Sequence, residues 1–517
     1  MGSMRPVARR SIAAIILGAL IGLIGLVLAV GGVWLLVEGG SAYYLVAGVA
    51  MIVAGVLLAR GRMTGAWLYG AIFLGTLLWA LWEVGLSPWA LVPRLVAPLV
   101  LLIAVMLVMP TLTRRPGRWK LAGLGAVATL LVAGIFGWSI AGNYIPPVRG
   151  SLPGERFAMA DPSLAQVGDD WPAYGGTYSA RRYSPLAQIT PANVGQLKRA
   201  WTIHTGDLPS SPDVRDTYGA ETTPLKVGDT LYLCTPKSMV LALDPTTGKQ
   251  KWRFDPGVKD DAIPYTAACR GVSYYAVPGA AVDAPCAQRI ILGTLDARII
   301  ALDARTGRQC RDFGRNGQVR ITDGMGQVRP GYVSINSPPT IVRGIIVTGH
   351  QVLDGQDRWA PSGVIQAYDA VTGEMRWAWD MMHPERSGPP PAGQTYARGT
   401  PNMWTIASGD EQLGLVYLPM GNAAADYYSS LRRPQENRYA TSLVAIDVMT
   451  GKPRWTFQAV EKDVWDYDFG AQATLVDFPT PKGAVPAMVL PSKQGDIYVL
   501  DRRTGQPLTP IGRIKAP

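Results

Sequence analysis

Three carboxylates fall within six residues in Asp463-Val-Trp-Asp466-Tyr-Asp468. Like charges this close raise one another's pKa, which suits one of them to accept a proton near neutral pH. The plainer reading of the same stretch is a turn whose carboxylates cap backbone N–H groups. Other chemistry is bounded by composition. The chain has three histidines (His204, His350, His383) and four cysteines (Cys234, Cys269, Cys286, Cys310). It contains no Cys-x-x-Cys-His, which excludes covalent c-type haem, and no Cys-x-x-Cys or His/Cys cluster that would suggest zinc. All four cysteines follow the last long apolar stretch, as suits an oxidising compartment, and their spacing leaves three complete pairings open.

The elements that must position these residues are written in a repeat. Ala242-Leu-Asp244-Pro-Thr-Thr-Gly248-Lys-Gln-Lys-Trp252 returns as Ala301-Leu-Asp303-Ala-Arg-Thr-Gly307 and as Ala367-Tyr-Asp369-Ala-Val-Thr-Gly373-Glu-Met-Arg-Trp377. It returns again as Ala445-Ile-Asp447-Val-Met-Thr-Gly451-Lys-Pro-Arg-Trp455 and as Val499-Leu-Asp501-Arg-Arg-Thr-Gly505, at spacings of 54 to 78 residues. Each copy follows a short β-rich run such as Thr230–Cys234 and ends one strand at an Asp-x-x-x-Gly turn, where a Trp opens the next strand in three of the five. Units of this length with little helical periodicity predict a β-propeller. Pro517 comes 12 residues after the fifth turn, and four or five blades of an eight-bladed design would leave open edges. The sequence is therefore expected to be an N-terminal portion of a longer polypeptide.

Residues 1–150 differ from the rest. Five apolar stretches, roughly 12–37, 42–59, 65–85, 90–109 and 121–141, are each long enough to cross a bilayer core of about 30 Å. Eleven basic residues against Glu38 and Glu83 put nine of the chain's eleven net positive charges in this region. They sort by loop: Arg5, Arg9 and Arg10 precede the first stretch, Arg60 and Arg62 follow the second, and Arg114, Arg115, Arg118 and Lys120 follow the fourth. Positive charge on alternate loops places the N-terminus in the cytoplasm and everything after about Asn143 on the far side, the periplasm of a bacterium. Glu83 and Arg94 lie near that far face, either snorkelling to the interface or offering a polar contact to a lipid-soluble ligand. The remainder is nearly neutral, which argues against a nucleic-acid-binding domain, and 16 Trp and 21 Tyr argue against disorder. The predicted organisation is a five-helix transmembrane domain over 1–143, a linker over 144–165 and a partial propeller over 166–517.

Five apolar spans, a Trp-rich propeller and a set of local motifs together resemble the membrane-bound quinoprotein dehydrogenases of the glucose/quinate/shikimate group. These enzymes use pyrroloquinoline quinone (PQQ). The motifs are Asp170-Trp-Pro-Ala-Tyr-Gly175, Arg182-Tyr-Ser-Pro-Leu186, Thr223-Pro-Leu-Lys-Val-Gly-Asp229, Cys269-Arg-Gly-Val-Ser273, Leu418-Pro-Met-Gly-Asn422, Asp463-Val-Trp-Asp466 and Asp501-Arg-Arg503. The resemblance covers essentially the whole chain and implies an eight-bladed fold. It implies a base at Asp466, a Trp on which PQQ lies at Trp404, a cation beside the quinone oxygens at Lys493, and a cofactor-contacting carboxylate at Glu221. Metal contacts for Ca²⁺ or Mg²⁺ are implied at Asp354 and Asn422, although Gly355 and Ala424 stand where the resemblance expects Asn and Thr.

The implied reaction is oxidation of an aldose sugar, glucose foremost, with hydride passing to the C5 carbonyl of PQQ and electrons to ubiquinone in the bilayer of the inner membrane. Thr266 replaces a His expected in glucose-oxidising members, which keeps quinate, shikimate or another polyol in view. A rival from another class is a membrane-anchored propeller that scaffolds an envelope complex without a cofactor. An inactive fragment is a third reading.

Overall fold

The computed structural model describes residues 11–37, 40–85, 88–113, 118–142, 168–211, 217–355, 357–481 and 483–512. The N-terminal arginines, Glu38, Arg114, Arg115 and the linker over 144–165 lie outside them. The chain divides into two compact units, Met1–Glu155 with Arg513–Pro517, and Arg156–Gly512.

In the first unit the five apolar stretches form helices α1 (Ile12–Val37), α2 (Tyr43–Ala59), α3 (Met63–Val84), α4 (Pro88–Val108) and α5 (Arg118–Gly142). Among the described residues, Ile12–Val37, Met63–Val84 and Leu91–Leu112 are long and apolar enough to cross a membrane, and α2 is a shorter apolar helix. Helices α1 and α2 meet along glycines. A Cβ on Gly18 would stand 2.5 Å from the Gly55 carbonyl oxygen, and one on Gly48 would stand 2.4 Å from the Ala29 nitrogen. Small residues at such crossings let backbones approach and maximise dispersion contact, the main attraction left between apolar helices in lipid. Glu83 and Arg94 resolve into a pair, Arg94 Nε to Glu83 Oε2 at 2.7 Å, with the guanidinium 5.9 Å from the Trp79 ring. Each supplies the other's counter-charge.

The second unit contains, among the described residues, four four-stranded antiparallel sheets and one three-stranded sheet, each pairing in sequence order. Their first strands are Leu225–Val227, Ser273–Ala276, Thr340–Val342, Ser408–Asp410 and Thr474–Thr480. We number these sheets blades 1 to 5. Successive blades pack face to face. One apolar cluster joins blade 1 to blade 2 through Val240, Ala242, Ile290 and Leu302, and another joins blade 3 to blade 4 through Val347, Trp377, Val416 and Val444. These are propeller blades, as the repeat predicts. The eight-blade total is a property of the resemblance, not of these residues.

The repeat's Gly and Trp explain the stacking. Asp244 Oδ1 accepts from the N–H groups of Thr246 (3.0 Å) and Thr247 (2.7 Å), closing the turn, and Asp303, Asp369 and Asp447 do the same in blades 2 to 4. Gly451 then takes φ 69° with the Trp377 indole of the preceding blade against it, and Trp377 Nε1 donates to the Val448 carbonyl at 2.7 Å. Trp252 and Trp455 dock on the next blade in the same way, and Trp201 docks on blade 1. Blade 2 lacks this Trp, and buried Phe313 fills the place against Gly373. The three open cysteine pairings resolve to Cys234–Cys269 and Cys286–Cys310.

In an antiparallel meander the 1–2 and 3–4 turns fall at one end of a blade. The 2–3 loops and the links to the next blade fall at the other. Every candidate site residue belongs to the second set, so all are delivered to the same end of the propeller.

Candidate active site

A cavity of about 380 Å³ opens at that end, lined by Glu221, Thr266, Arg270, Asp354, Asn402, Trp404, Asp426, Asp466 and Asp468, among others. Short pairings hold its walls. Tyr218–Gly219 runs parallel to Ala267–Ala268, bringing Glu221 beside the link that carries Arg270. Val333–Ser334 pairs with Gln351–Val352, which fixes the approach to Asp354.

Asp466 sits in the link from blade 4 to blade 5 with φ 58°, a left-handed conformation that costs a non-glycine residue about 1–3 kcal/mol. The loop is held there by buried Asp463, whose carboxylate accepts from the N–H groups of Trp465 (2.9 Å) and Tyr467 (2.8 Å) on either side. Asp463 is thus a turn carboxylate, while Asp466 is turned to the cavity. Burial and the neighbouring Asp468 push the Asp466 carboxyl up to about 6, against the opposing pull of Lys493.

Asp468 is the hub. Its Oδ2 accepts from Trp404 Nε1 and from Lys493 Nζ, both at 2.9 Å, and its Oδ1 accepts from the Asn422 N–H at 2.6 Å. Lys493 also reaches the Asp466 carbonyl at 3.0 Å and its Oδ2 at 3.4 Å. Burial works against the Lys493 ammonium, but the carboxylates of Asp468 and Asp466 hold its pKa above the ordinary lysine value.

Two cations lie against the Trp404 ring. Arg270 lies 5.2 Å and Lys493 5.6 Å from its ring centroid, and Gly421 and Gly470 stand close against its edge, where a Cβ would come within 3.3 Å. Arg270 is itself held by Glu221, Nε to Oε2 at 3.0 Å, and by Ser337 Oγ at 3.1 Å. Glu221 therefore reaches the cavity both directly and through the guanidinium it orients.

The remaining candidates separate. Asp354 is buried, accepts from Asn402 Nδ2 and lines the cavity. Burial first, then the charges of Asp426 and Asp468, hold its carboxyl well above the usual range. Asn422 does not line the cavity. Its Nδ2 donates to the carbonyls of Asp426 (2.9 Å) and Asp463 (3.3 Å), and its Oδ1 accepts from the Ala423 N–H. The structure brings together Asp466, Lys493, Trp404, Glu221 and Asp354, and places Asn422 behind them as a clamp on two loops.

Sequence reasoning assigned no role to Arg270, Asn402 or Asp426. Arg270 had a signal in the Cys-Arg-Gly motif. Asp426 follows Asn422 by four residues through three alanines, with nothing to mark it.

Five carboxylates (Glu221, Asp354, Asp426, Asp466 and Asp468) and the Arg270 guanidinium line the cavity, and Lys493 pairs with two of the five. The site combines an indole face, two cations beside that indole, a carboxyl of raised pKa and buried oxygen donors. Residues 171–517 match the family model of the PQQ glucose/ethanol/alcohol dehydrogenase β-propeller domain. The chain belongs to this family of PQQ-dependent dehydrogenases. It is similar to the glycerol dehydrogenase large subunit of Gluconobacter oxydans (strain 621H), 50% identical over 375 residues, 72% of this chain and 50% of that one. It is 37% identical over 506 residues to quinoprotein glucose dehydrogenase A of Acinetobacter calcoaceticus, covering 95% of this chain and 62% of that one. It is 36% identical over 518 residues to the quinate/shikimate dehydrogenase (quinone) of Acinetobacter baylyi (strain ATCC 33305 / BD413 / ADP1), covering 96% and 63%. The chain thus spans between half and two thirds of the length of these relatives.

Proposed function

We propose that this chain binds PQQ with Ca²⁺ or Mg²⁺ on the Trp404 side of the cavity and oxidises a polyol or sugar hydroxyl to a carbonyl. In this reading it lies in a bacterial inner membrane, its propeller in the periplasm, and the electrons leave to ubiquinone. One arrangement carries the reading: a half-buried aspartate raised to about 6, within 3.4 Å of a lysine that also contacts the Trp404 ring face.

When bound, PQQ supplies the two-electron acceptor and the cation supplies Lewis acidity. The chain's own residues do the rest. Asp466 takes the proton from the substrate hydroxyl as the carbinol carbon gives up its hydride. Lys493 and Arg270 offer positive charge to carboxylates and quinone oxygens, and Trp404 fixes the plane. Asp354 and Asn402 supply oxygen donors of the kind hard cations take.

Among substrates, a polyol is favoured over glucose. Thr266 lines the cavity where glucose-type members are expected to carry His, and a glycerol dehydrogenase subunit stands among the relatives. Tyr265 and Tyr427, both exposed at the mouth, offer apolar faces to a carbon skeleton. The test is to load the purified chain, in detergent, with PQQ and Ca²⁺. Reduction of a soluble ubiquinone analogue is then followed with glycerol, glucose and quinate. Polyol-dependent reduction that requires PQQ supports the reading. Failure of PQQ to bind, or equal activity in Asp466→Asn, overturns it.

A further inference from the structure

Most carboxylates around the cavity are engaged. Asp354 accepts from Asn402, Asp466 and Asp468 from Lys493, and Glu221 from Arg270. Asp426 differs. It is 8% exposed, and among the described residues its carboxylate receives no hydrogen bond. Arg432, the nearby cation, donates instead to the backbone carbonyls of Ala425 (2.9 Å), Asp426 (2.7 Å) and Asp463. A carboxylate withdrawn from water without a donor is costly to keep charged unless a cation meets it.

The space beside it is specific. Asp426 Oδ2 lies 3.0 Å from where a Cβ on Gly355 would stand, so the glycine after Asp354 leaves room for the second carboxylate to come alongside. Asn402, 2% exposed, lines the same cavity as both carboxylates. Its Nδ2 is spent on Asp354, and among the described residues its Oδ1 has no hydrogen-bond partner. A buried amide oxygen without a donor and two buried carboxylates, all lining one cavity, form a set of hard oxygen ligands that a single cation would satisfy.

We propose that Asp426 is a ligand of the active-site cation, which it grips together with Asp354 and the side-chain oxygen of Asn402. This rests on the reading of the cavity as a PQQ and metal site, and moves the fourth-blade ligand from Asn422 to Asp426. Asn422 then acts behind the site, its amide holding the Asp426 carbonyl.

The experiment uses the full chain, purified in detergent and stripped of metal. Ca²⁺ alone is titrated calorimetrically, and PQQ binding without metal is followed separately by quenching of tryptophan fluorescence. Asp426→Asn is expected to weaken Ca²⁺ by more than about tenfold, as Asp354→Asn does, with PQQ quenching unchanged. Because it removes an unmatched buried charge, the metal-free variant should melt no lower than the wild type while losing the Ca²⁺-induced rise in melting temperature. Asp426→Ser, which empties the position altogether, gives a second reading of the same loss. Wild-type Ca²⁺ affinity in Asp426→Asn or Asp426→Ser, with Asp354→Asn impaired, overturns the assignment and leaves the PQQ reading standing. Ca²⁺ binding that depends on Asp426 in a chain that takes up no PQQ supports the ligand assignment and sinks the reading beneath it.

Discussion

The indole N–H of Trp404 donates to Asp468 Oδ2 at 2.9 Å, which ties the flat wall of the cavity to the carboxylate that also anchors Lys493. Trp404, Lys493, Asp466 and Asp468 are therefore one hydrogen-bonded unit. A change at any of them should be read for its effect on the others.

Asp466→Asn preserves shape and removes basicity. Turnover should drop by about 10²–10⁴-fold, the usual worth of a positioned base. PQQ affinity, read by fluorescence quenching, should not change. Wild-type turnover in this variant would remove Asp466 from the chemistry.

The pH profile has a definite sign. A base must be ionised to act, so with Asp466 raised to about 6, kcat/KM should climb through pH 6 and flatten above it. Lys493 pulls that value down, so Lys493→Ala should shift the rise toward higher pH. A rise moved to lower pH would contradict the geometry.

Trp404→Phe and Trp404→Ala separate stacking from hydrogen bonding. Phe keeps an aromatic face but loses the donor to Asp468, while Ala loses both. PQQ affinity should fall in the order wild type, Phe, Ala, and equal loss in both variants would assign the role to the hydrogen bond instead. Equilibrium titration with PQQ decides between them.

Gly451→Ala tests the docking of blades. It forces a side chain at φ 69° and sets a Cβ 2.6 Å from the Trp377 ring, two penalties of about 1–3 kcal/mol each. Gly279→Ala carries a similar φ of 74° with nothing within 4 Å, so it isolates the backbone part. Urea denaturation should show the larger loss at Gly451.

The two disulfides should differ in what they touch. Cys234–Cys269 joins blade 1 to the residue next to Arg270, whereas Cys286–Cys310 braces blade 2. Cys269→Ser and Cys286→Ser should each cost about 2–4 kcal/mol of stability. Cys269→Ser alone should also weaken PQQ binding, measured by the same quenching titration.

Legibility followed the range of the interactions. The Asp-x-x-x-Gly turns are built from a carboxylate and N–H groups two and three residues on, so five of them could be read directly, and apolar runs announced the five helices. Asp466 was singled out by the Asp463-Val-Trp-Asp466 motif, and the structure turns it to the cavity. Arg270 and Trp404 meet across 134 residues, and Asp354 and Asn402 across 48, through links of irregular length that carry no period. The docking of Trp252 and Trp377 on the following blade, rather than within their own, was likewise hidden. Asn422 was marked by its motif, and its amide donates to the backbone carbonyls of Asp426 and Asp463 outside the cavity lining.

The glycine turns and their docked tryptophans sit at the end of the blades away from the cavity, and that separation has an evolutionary and engineering corollary. What keeps successive blades in step is kept apart from what meets the substrate. Cavity-facing positions of loops 255–272 and 420–441, such as Thr266 and Tyr427, can be rewritten without touching the turns that stack the blades, whereas Cys269 and Asn422 in the same loops hold structure. A library aimed at new specificity therefore belongs at the cavity-facing positions of those loops and nowhere near the turns.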